Sequence, residues 1–396
     1  MNSEKLLKNG CDMLYLSACA FYSIVPEAEI VEEMNLKEVY ILSARHYMQA
    51  ITYIALESFI SHNPDFKDKI SKELLYEWKF MKSKAIRSNI LFEEQRNKLT
   101  AFLEENKIWY VFLKGIVLQN CYSNTTMRQM CDNDIFFDAA RRNDLYDYFV
   151  GLKYEVLLFG KGCHDSYKKK PSLLFEMHHT LYGESTEEKL FNEYYKDVKD
   201  RLIKDENNNY GYHFSDEDFY IHATTHYYKH FINAGSGIRS LLDVYAYFKS
   251  KGEKLNLDYI SEEFTKLGIK DFECDMRNLA NKLFDEDTVR SYAFESVLND
   301  EEMELFLFCL TAGTYGNKIS YIKNKVKRGV GNKKHGVFKY ILRRFFPDKS
   351  FYKMKYPKAY KYKVFIPFVA IYRIITRSIV NFKELKFEYK VLFKKK

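Results

Sequence analysis

Apolar residues set two rhythms along this chain. Through LKEVYILSARHYMQAITYIALESFI they recur at three- and four-residue spacing, and Asn63-Pro64 ends the run. LLYEWKFMKSKAIRSNILFEEQRNKLTAFLEEN continues in the same rhythm, so residues 1–105 are expected to be helical. The rhythm then changes. IWYVFL is a continuous apolar run, the pattern of a buried strand, and Gly115 follows where the backbone must turn closely. GIVLQNCY suits a short helix whose N-terminus could hold an anion, and a loop carries Arg128 to the next strand, NDIFFDA. ARRNDLYDYFVGLKY is a helix closing near Gly151, YEVLLF a strand, GKGCHDSYKKKPS a polar loop with His164, and SLLFEMHH a last strand. Strand, helix, strand, helix, strand, loop, strand over residues 106–183 predicts a small mixed sheet, and so an α+β fold with helical regions on both sides of it.

From 184 to 316 the chain turns helical again. In FYIHATTHYYKHFINAGSGIRSLLDVYAYFKS, His222, His226 and His230 fall four apart, on one stripe of a helix. They either line a cleft, pack beneath the core, or ligate a transition metal such as zinc. Arg239 and Asp243 are also four apart, placed to pair with each other, or to leave Arg239 for a phosphate. His46, among apolar residues, reads as structural or as a support to a functional group.

Charge changes the picture at one end. The net charge is +8, but residues 317–396 carry +21 and the rest −13, so an acidic body bears a basic tail. Within it VFIPFVAIYRIITRSIV is about 17 residues long and holds Arg373, Arg377 and Pro367, too short and too charged for a membrane span. An amphipathic helix on an anionic membrane surface, a nucleic-acid patch, and a helix simply docked on the body are the three readings. Seven cysteines without paired spacing read as free thiols, and the mixed-charge N-terminus is not a secretory signal. The expected location is the cytoplasm, at the membrane periphery if the tail touches lipid.

The chemistry gathers around WYVFLKGIVLQNCYSNTTMRQMCDNDIFFD. Residues i and i+2 of a strand share a face, so Asp132 and Asp134 project together, and Glu176 and His178 do so on a later strand. Three converging carboxylates repel one another unless a cation lies between them, and hard oxygens at this spacing suit Mg²⁺ or Mn²⁺.

These residues carry a resemblance. LKG followed by Tyr122, Arg128, Cys-Asp132-Asn-Asp134 and Phe-Glu176-Met-His178 is similar to the uncharacterised bacterial nucleotidyltransferases of the type-5 group, within the polymerase-beta-like superfamily. HYYKH with Arg239 and Asp243 resembles that family's helical part, and RRFFPDKSFYKMKYP its ending. The resemblance implies metal-dependent transfer of an NMP from an NTP to an acceptor hydroxyl. It implies Asp132 and Asp134 as metal ligands, and Glu176 as third ligand or base, with His178 beside it. Lys114 and Gly115 stand where the superfamily has the Gly-Ser phosphate turn, and Arg128 is suited to a phosphate. Asn133 departs from the usual apolar residue between the aspartates, for which a packing cost is expected. The alternatives are a non-catalytic nucleotide- or partner-binding protein of the same fold, and a nucleotidyltransferase acting on RNA.

Overall fold

The computed structural model describes residues 3–185, 188–314, 316–327, 352, 356–380 and 382–393. Its fold is α+β, a seven-stranded mixed sheet among helices. In chain order the strands are β1 (Tyr110–Phe112), β2 (Asn133–Phe137), β3 (Glu155–Leu158), β4 (His164–Lys169), β5 (Leu173–His178), β6 (Ile203–Lys204) and β7 (Gly211–His213), arranged 3-4-5-2-1-7-6. β2 lies at the centre, antiparallel to β1 and parallel to β5.

Three of these strands correct the sequence reading. The segment around His164, expected as a loop, is β4, antiparallel to both β3 and β5. Its run HDSYKK hides the usual strand signal because its buried members are Asp165, Ser166 and Tyr167. Asp165 is held inside by Arg142, whose Nη2 donates to Oδ1 at 2.5 Å. β6 and β7 come from the stretch read as helical. At two and three residues they are too short to show a period.

The Lys72–Glu105 helix explains how the sheet is covered. Ser71 caps its start, accepting from the Leu74 N–H. Trp78, Ala85, Phe92 and Leu99 recur every seven residues and are its buried positions, with Leu103 a turn later. Phe92, Leu99 and Leu103 pack with Ile135, Phe137 and Phe175 on one face of the sheet. Burial of each such side chain contributes about 1.5–3 kcal/mol. Asn133 shares that face, because β2 alternates. Its amide donates to the Phe92 carbonyl at 3.3 Å and accepts from Arg96 Nη1 at 3.1 Å. The expected packing cost is therefore offset, since both ends of the amide are satisfied.

On the opposite face β2 presents Asp134 and Phe136, and β5 presents Glu176 and His178. Two helices, Asp216–Asn233 and Ile238–Lys251, stand over this face and close a cavity against it. His46 lies elsewhere. It is fully buried, accepts the Ile238 N–H at Nδ1 (3.1 Å) and meets the Leu310 carbonyl through Nε2 (3.0 Å). It ties the start of the Ile238–Lys251 helix to the Asp300–Ala312 helix, the structural role expected.

In the tail, Ile366–Val380 is a helix whose Phe368, Ile371 and Tyr372 are exposed. No helix among the described residues is long and apolar enough to cross a membrane. The basic runs from 328 to 351, and most of RRFFPDKSFYKMKYP, lie outside the described residues.

Candidate active site

The site is built from the centre of the sheet outward. Leu113 follows the end of β1, and its N–H donates to the Asp134 carbonyl at 3.0 Å. The chain then turns through Lys114 at φ 46° and ψ −113°, a conformation a side-chain-bearing residue rarely adopts. Such backbone costs about 1–3 kcal/mol and persists where its surroundings hold it. Here the turn aims the Lys114 ammonium at Asp134, Nζ to Oδ1 2.7 Å. The same Oδ1 meets His178 Nε2 at 2.9 Å. Parallel pairing of β2 and β5 sets Asp134 abreast of Glu176, and His178 follows two residues on.

A cavity of about 370 Å³ opens above these groups. Asp132, Asp134, Glu176, His178 and Lys114 line it from the sheet side, and His226, His230 and Arg239 from the helices. Donor atoms of Asp134, Glu176 and His178 lie within 4.8 Å of one another, a set able to grip a cation. Asp132 lines the same cavity without joining that set. It precedes the first paired residue of β2, so the two-residue rule does not bind it as tightly as a ladder position would.

The electrostatics follow from this crowding. Burial and the neighbouring Asp134 push the Glu176 carboxyl up to about 7. The same two causes raise Asp132 to about 6. Burial also works against ionised Asp134, but the Lys114 ammonium and the His178 contact outweigh it and hold Asp134 below the usual carboxylate range. His178 is pushed down to about 4, first by burial and then by Lys114. The neutral ring therefore carries its proton on Nε2, facing the Asp134 carboxylate.

Not every residue expected here is free to act. Arg128 is buried, and its Nε and Nη2 donate to Asp243 Oδ1 and Oδ2 at 2.7 and 2.9 Å. Asp243 also accepts the Tyr122 and Tyr227 hydroxyls, at 2.9 and 3.0 Å. Arg128 also lines the cavity, but Asp243 holds two of its nitrogens, and it is Arg128 rather than Arg239 that pairs with Asp243. Arg239 instead donates through Nη2 to the Gln129 carbonyl at 2.7 Å while lining the cavity. The helix after Gly115 spans only Gly115–Leu118, too short for an N-terminal anion site. A Cβ at Gly115 would meet Arg128 Nη1 at 2.7 Å, so this glycine is required by the close approach of that guanidinium.

The histidine stripe divides. His222 is turned into the core against Phe214, Tyr182 and Tyr195. His226 and His230 point to the cavity, with their Nε2 atoms 2.9 Å apart. The three therefore do not converge on one metal. Cys163 and His164, which the sequence reading left in a loop, also line the cavity. The signal that could have found them is their register: His164 lies opposite His178 on the neighbouring strand.

A mixed sheet that presents two aspartates, a glutamate and a lysine to a helix-covered cavity has the form of an α+β nucleotidyltransferase. The chain matches, over residues 32–285, the family described as uncharacterised nucleotidyltransferase, and it belongs to that family. No curated protein and no solved structure matches it.

Proton competition gives the site a signature. The raised Glu176 and Asp132 stabilise the fold fully only below their unfolded values of 4.5 and 3.8, and that contribution is lost as pH rises through about 7 and 6 respectively. A cation held by these carboxylates would need their ionised forms, so a Mg²⁺-induced rise in melting temperature would be larger at pH 8 than at pH 5.5. Glu176→Gln should flatten that difference. Melting curves with and without Mg²⁺ at the two pH values check it.

Proposed function

We propose that this chain transfers a nucleotidyl group from an NTP to an acceptor hydroxyl in the cavity above Asp134. The observation that carries the reading is the convergence of Asp134, Glu176 and His178 within 4.8 Å, with Lys114 already on Asp134, in a member of this family. The residues fit a divalent cation: the donor set is oxygen-rich, and the upward shifts of Glu176 and Asp132 mark a cluster short of positive charge. Asp134 and Glu176 would hold Mg²⁺ or Mn²⁺, with Asp132 close by. Bound there, the ion would neutralise phosphate charge and favour in-line displacement.

The chain's own groups do the rest. Lys114 balances the carboxylates in the free protein and is within reach of an entering triphosphate. Arg239, on the opposite wall, is placed to meet a phosphate, while Arg128 is held by Asp243. Glu176 accepts the proton of the acceptor hydroxyl. The freed oxygen bonds to the α-phosphorus, the bond to the β-phosphate bridge breaks, and pyrophosphate leaves. His178 keeps Asp134 oriented through Nε2. The direct test is pyrophosphate release from each of the four NTPs with Mg²⁺ and candidate acceptors. Nucleotide binding without release would favour the non-catalytic reading, and release that requires an RNA terminus as acceptor would favour the RNA reading.

For the tail, the exposed Phe368, Ile371 and Tyr372 beside its net charge of +21 support contact with an anionic membrane surface. Phosphatidylserine vesicles should sediment the full chain, and Phe368→Asp/Ile371→Asp should abolish this. Equal sedimentation of the variant would contradict it.

A further inference from the structure

Beside the carboxylates lies a second donor set of different chemistry. Cys163 Sγ and one nitrogen from each of His164 and His178 lie within 4.8 Å of one another. Antiparallel pairing of β4 and β5 places His164 opposite His178, with ring centroids 5.0 Å apart. Cys163 stands just before β4, with Sγ 3.5 Å from His164 Nδ1. Its backbone carbonyl accepts the His179 and Thr180 N–H groups at 3.1 and 3.2 Å, which pins it at the end of β5. The set therefore rests on a strand ladder and its closing turn.

His178 supplies the independent observation. Its side chain is only 5% exposed, and with Nε2 facing Asp134, Nδ1 is left buried with no hydrogen-bond partner. A buried ring nitrogen with an unused lone pair is costly when nothing meets it. A metal ion is the partner such a lone pair accepts. Histidine ligands commonly bind metal through one nitrogen and donate the other N–H to a carboxylate, which fixes the ring. Asp134 is in place for that second contact.

We propose that Cys163, His164 and His178 form a binding site for a transition metal of borderline softness, Zn²⁺ by preference, adjoining the carboxylate site at His178 and at Glu176, whose Oε1 lies 3.7 Å from His164 Nε2. One thiolate and two imidazoles suit Zn²⁺ and are poor ligands for Mg²⁺, whose chemistry demands oxygen. Three protein ligands leave a fourth position, and all three residues line the cavity, so that position faces the space where substrate enters. On binding, the Cys163 thiol releases its proton to solvent and the sulfur takes the metal; His164 and His178 bind as neutral rings. The bound ion fixes His178 while its Nε2–H stays on Asp134. The cavity thus sorts two metals by donor hardness, oxygen ligands on β2 and β5 for one and the β4 edge for the other.

Co²⁺ titration of the full chain, followed by absorption, tests the site without reference to turnover. The expected result is one equivalent bound with an intense thiolate-to-Co²⁺ charge-transfer band and the strong visible bands of tetrahedral Co²⁺, both bleached by one equivalent of Zn²⁺. Cys163→Ser should remove the charge-transfer band, and His164→Ala should weaken binding by at least about 100-fold. Cys131→Ser, another thiol at the cavity, should keep the band. A wild-type spectrum without the band, or one that persists in Cys163→Ser, overturns the proposal. Far-UV circular dichroism of each variant confirms that the comparison is between folded chains. The result is separable from the nucleotidyltransferase reading: a Cys163-dependent band with no pyrophosphate release removes that reading and leaves this site, and release without a band does the reverse.

Discussion

Asp134→Asn is expected to lower NTP turnover by at least about 10³-fold while leaving the fold in place. Asparagine keeps the shape of the side chain and the pairing of β2, so Leu113, β1 and β5 retain their partners. What disappears is the anion. Asp134 Oδ1 is the point on which Lys114 and His178 both converge, and it is the carboxylate its neighbours hold ionised. An amide there would remove one carboxylate from the proposed cation set and leave the Lys114 ammonium facing a neutral group. It also relieves Glu176, whose carboxyl is raised in part by the Asp134 charge. Pyrophosphate release measured beside a melting curve separates the two effects. Turnover within tenfold of wild type in a folded variant would mean that the chemistry lies elsewhere.

The second large effect is on stability. Arg128→Met is expected to destabilise the protein by about 3–5 kcal/mol, because it strands the Asp243 carboxylate in the interior. Asp243 is 2% exposed and accepts from Arg128 twice and from Tyr122 and Tyr227 once each. The two tyrosine hydroxyls cannot replace a full positive charge. Burial tends to lower the Arg128 pKa and to raise that of Asp243, but each partner's charge outweighs burial and shifts the pair the other way. The double variant Arg128→Met/Asp243→Leu should recover most of the loss, since both desolvated charges leave together. Chemical denaturation of the single and double variants measures this. If Arg128 served phosphate binding instead, Arg128→Met would raise KM for the NTP and leave the unfolding midpoint where it was.

That contrast shows what the sequence can reveal. The positions of Asp134, Glu176 and His178 were legible because a strand's two-residue period and the order of strands bring them to one face. The Lys72–Glu105 helix was legible from its periodic apolar face. The fate of Arg128 was not. Its partner lies 115 residues away, and nothing in the local pattern says that Asp243 will prefer it to Arg239, four residues off on the same helix. β4 was hidden because its buried members include Asp165 and Ser166, the first of them held inside by Arg142. Cys163 and His164 were missed with it, since only the ladder between β4 and β5 places them beside His178. The histidine stripe was read correctly as one helix, but the helix turns His222 to the core while His226 and His230 face the cavity. Period alone could not separate a buried ring from one that faces the cavity. Residues whose partners are local could be placed from the chain, and those whose partners come from distant segments could not.

Nucleotide and cation are proposed to meet at Asp134 on β2 and Glu176 on β5. A thermal-shift titration of the four NTPs, with and without Mg²⁺, on wild type and Asp134→Asn decides this. The expected result is a shift for at least one NTP that requires Mg²⁺ and is lost in the variant. A shift that is independent of Mg²⁺, or the same size in Asp134→Asn, would contradict it.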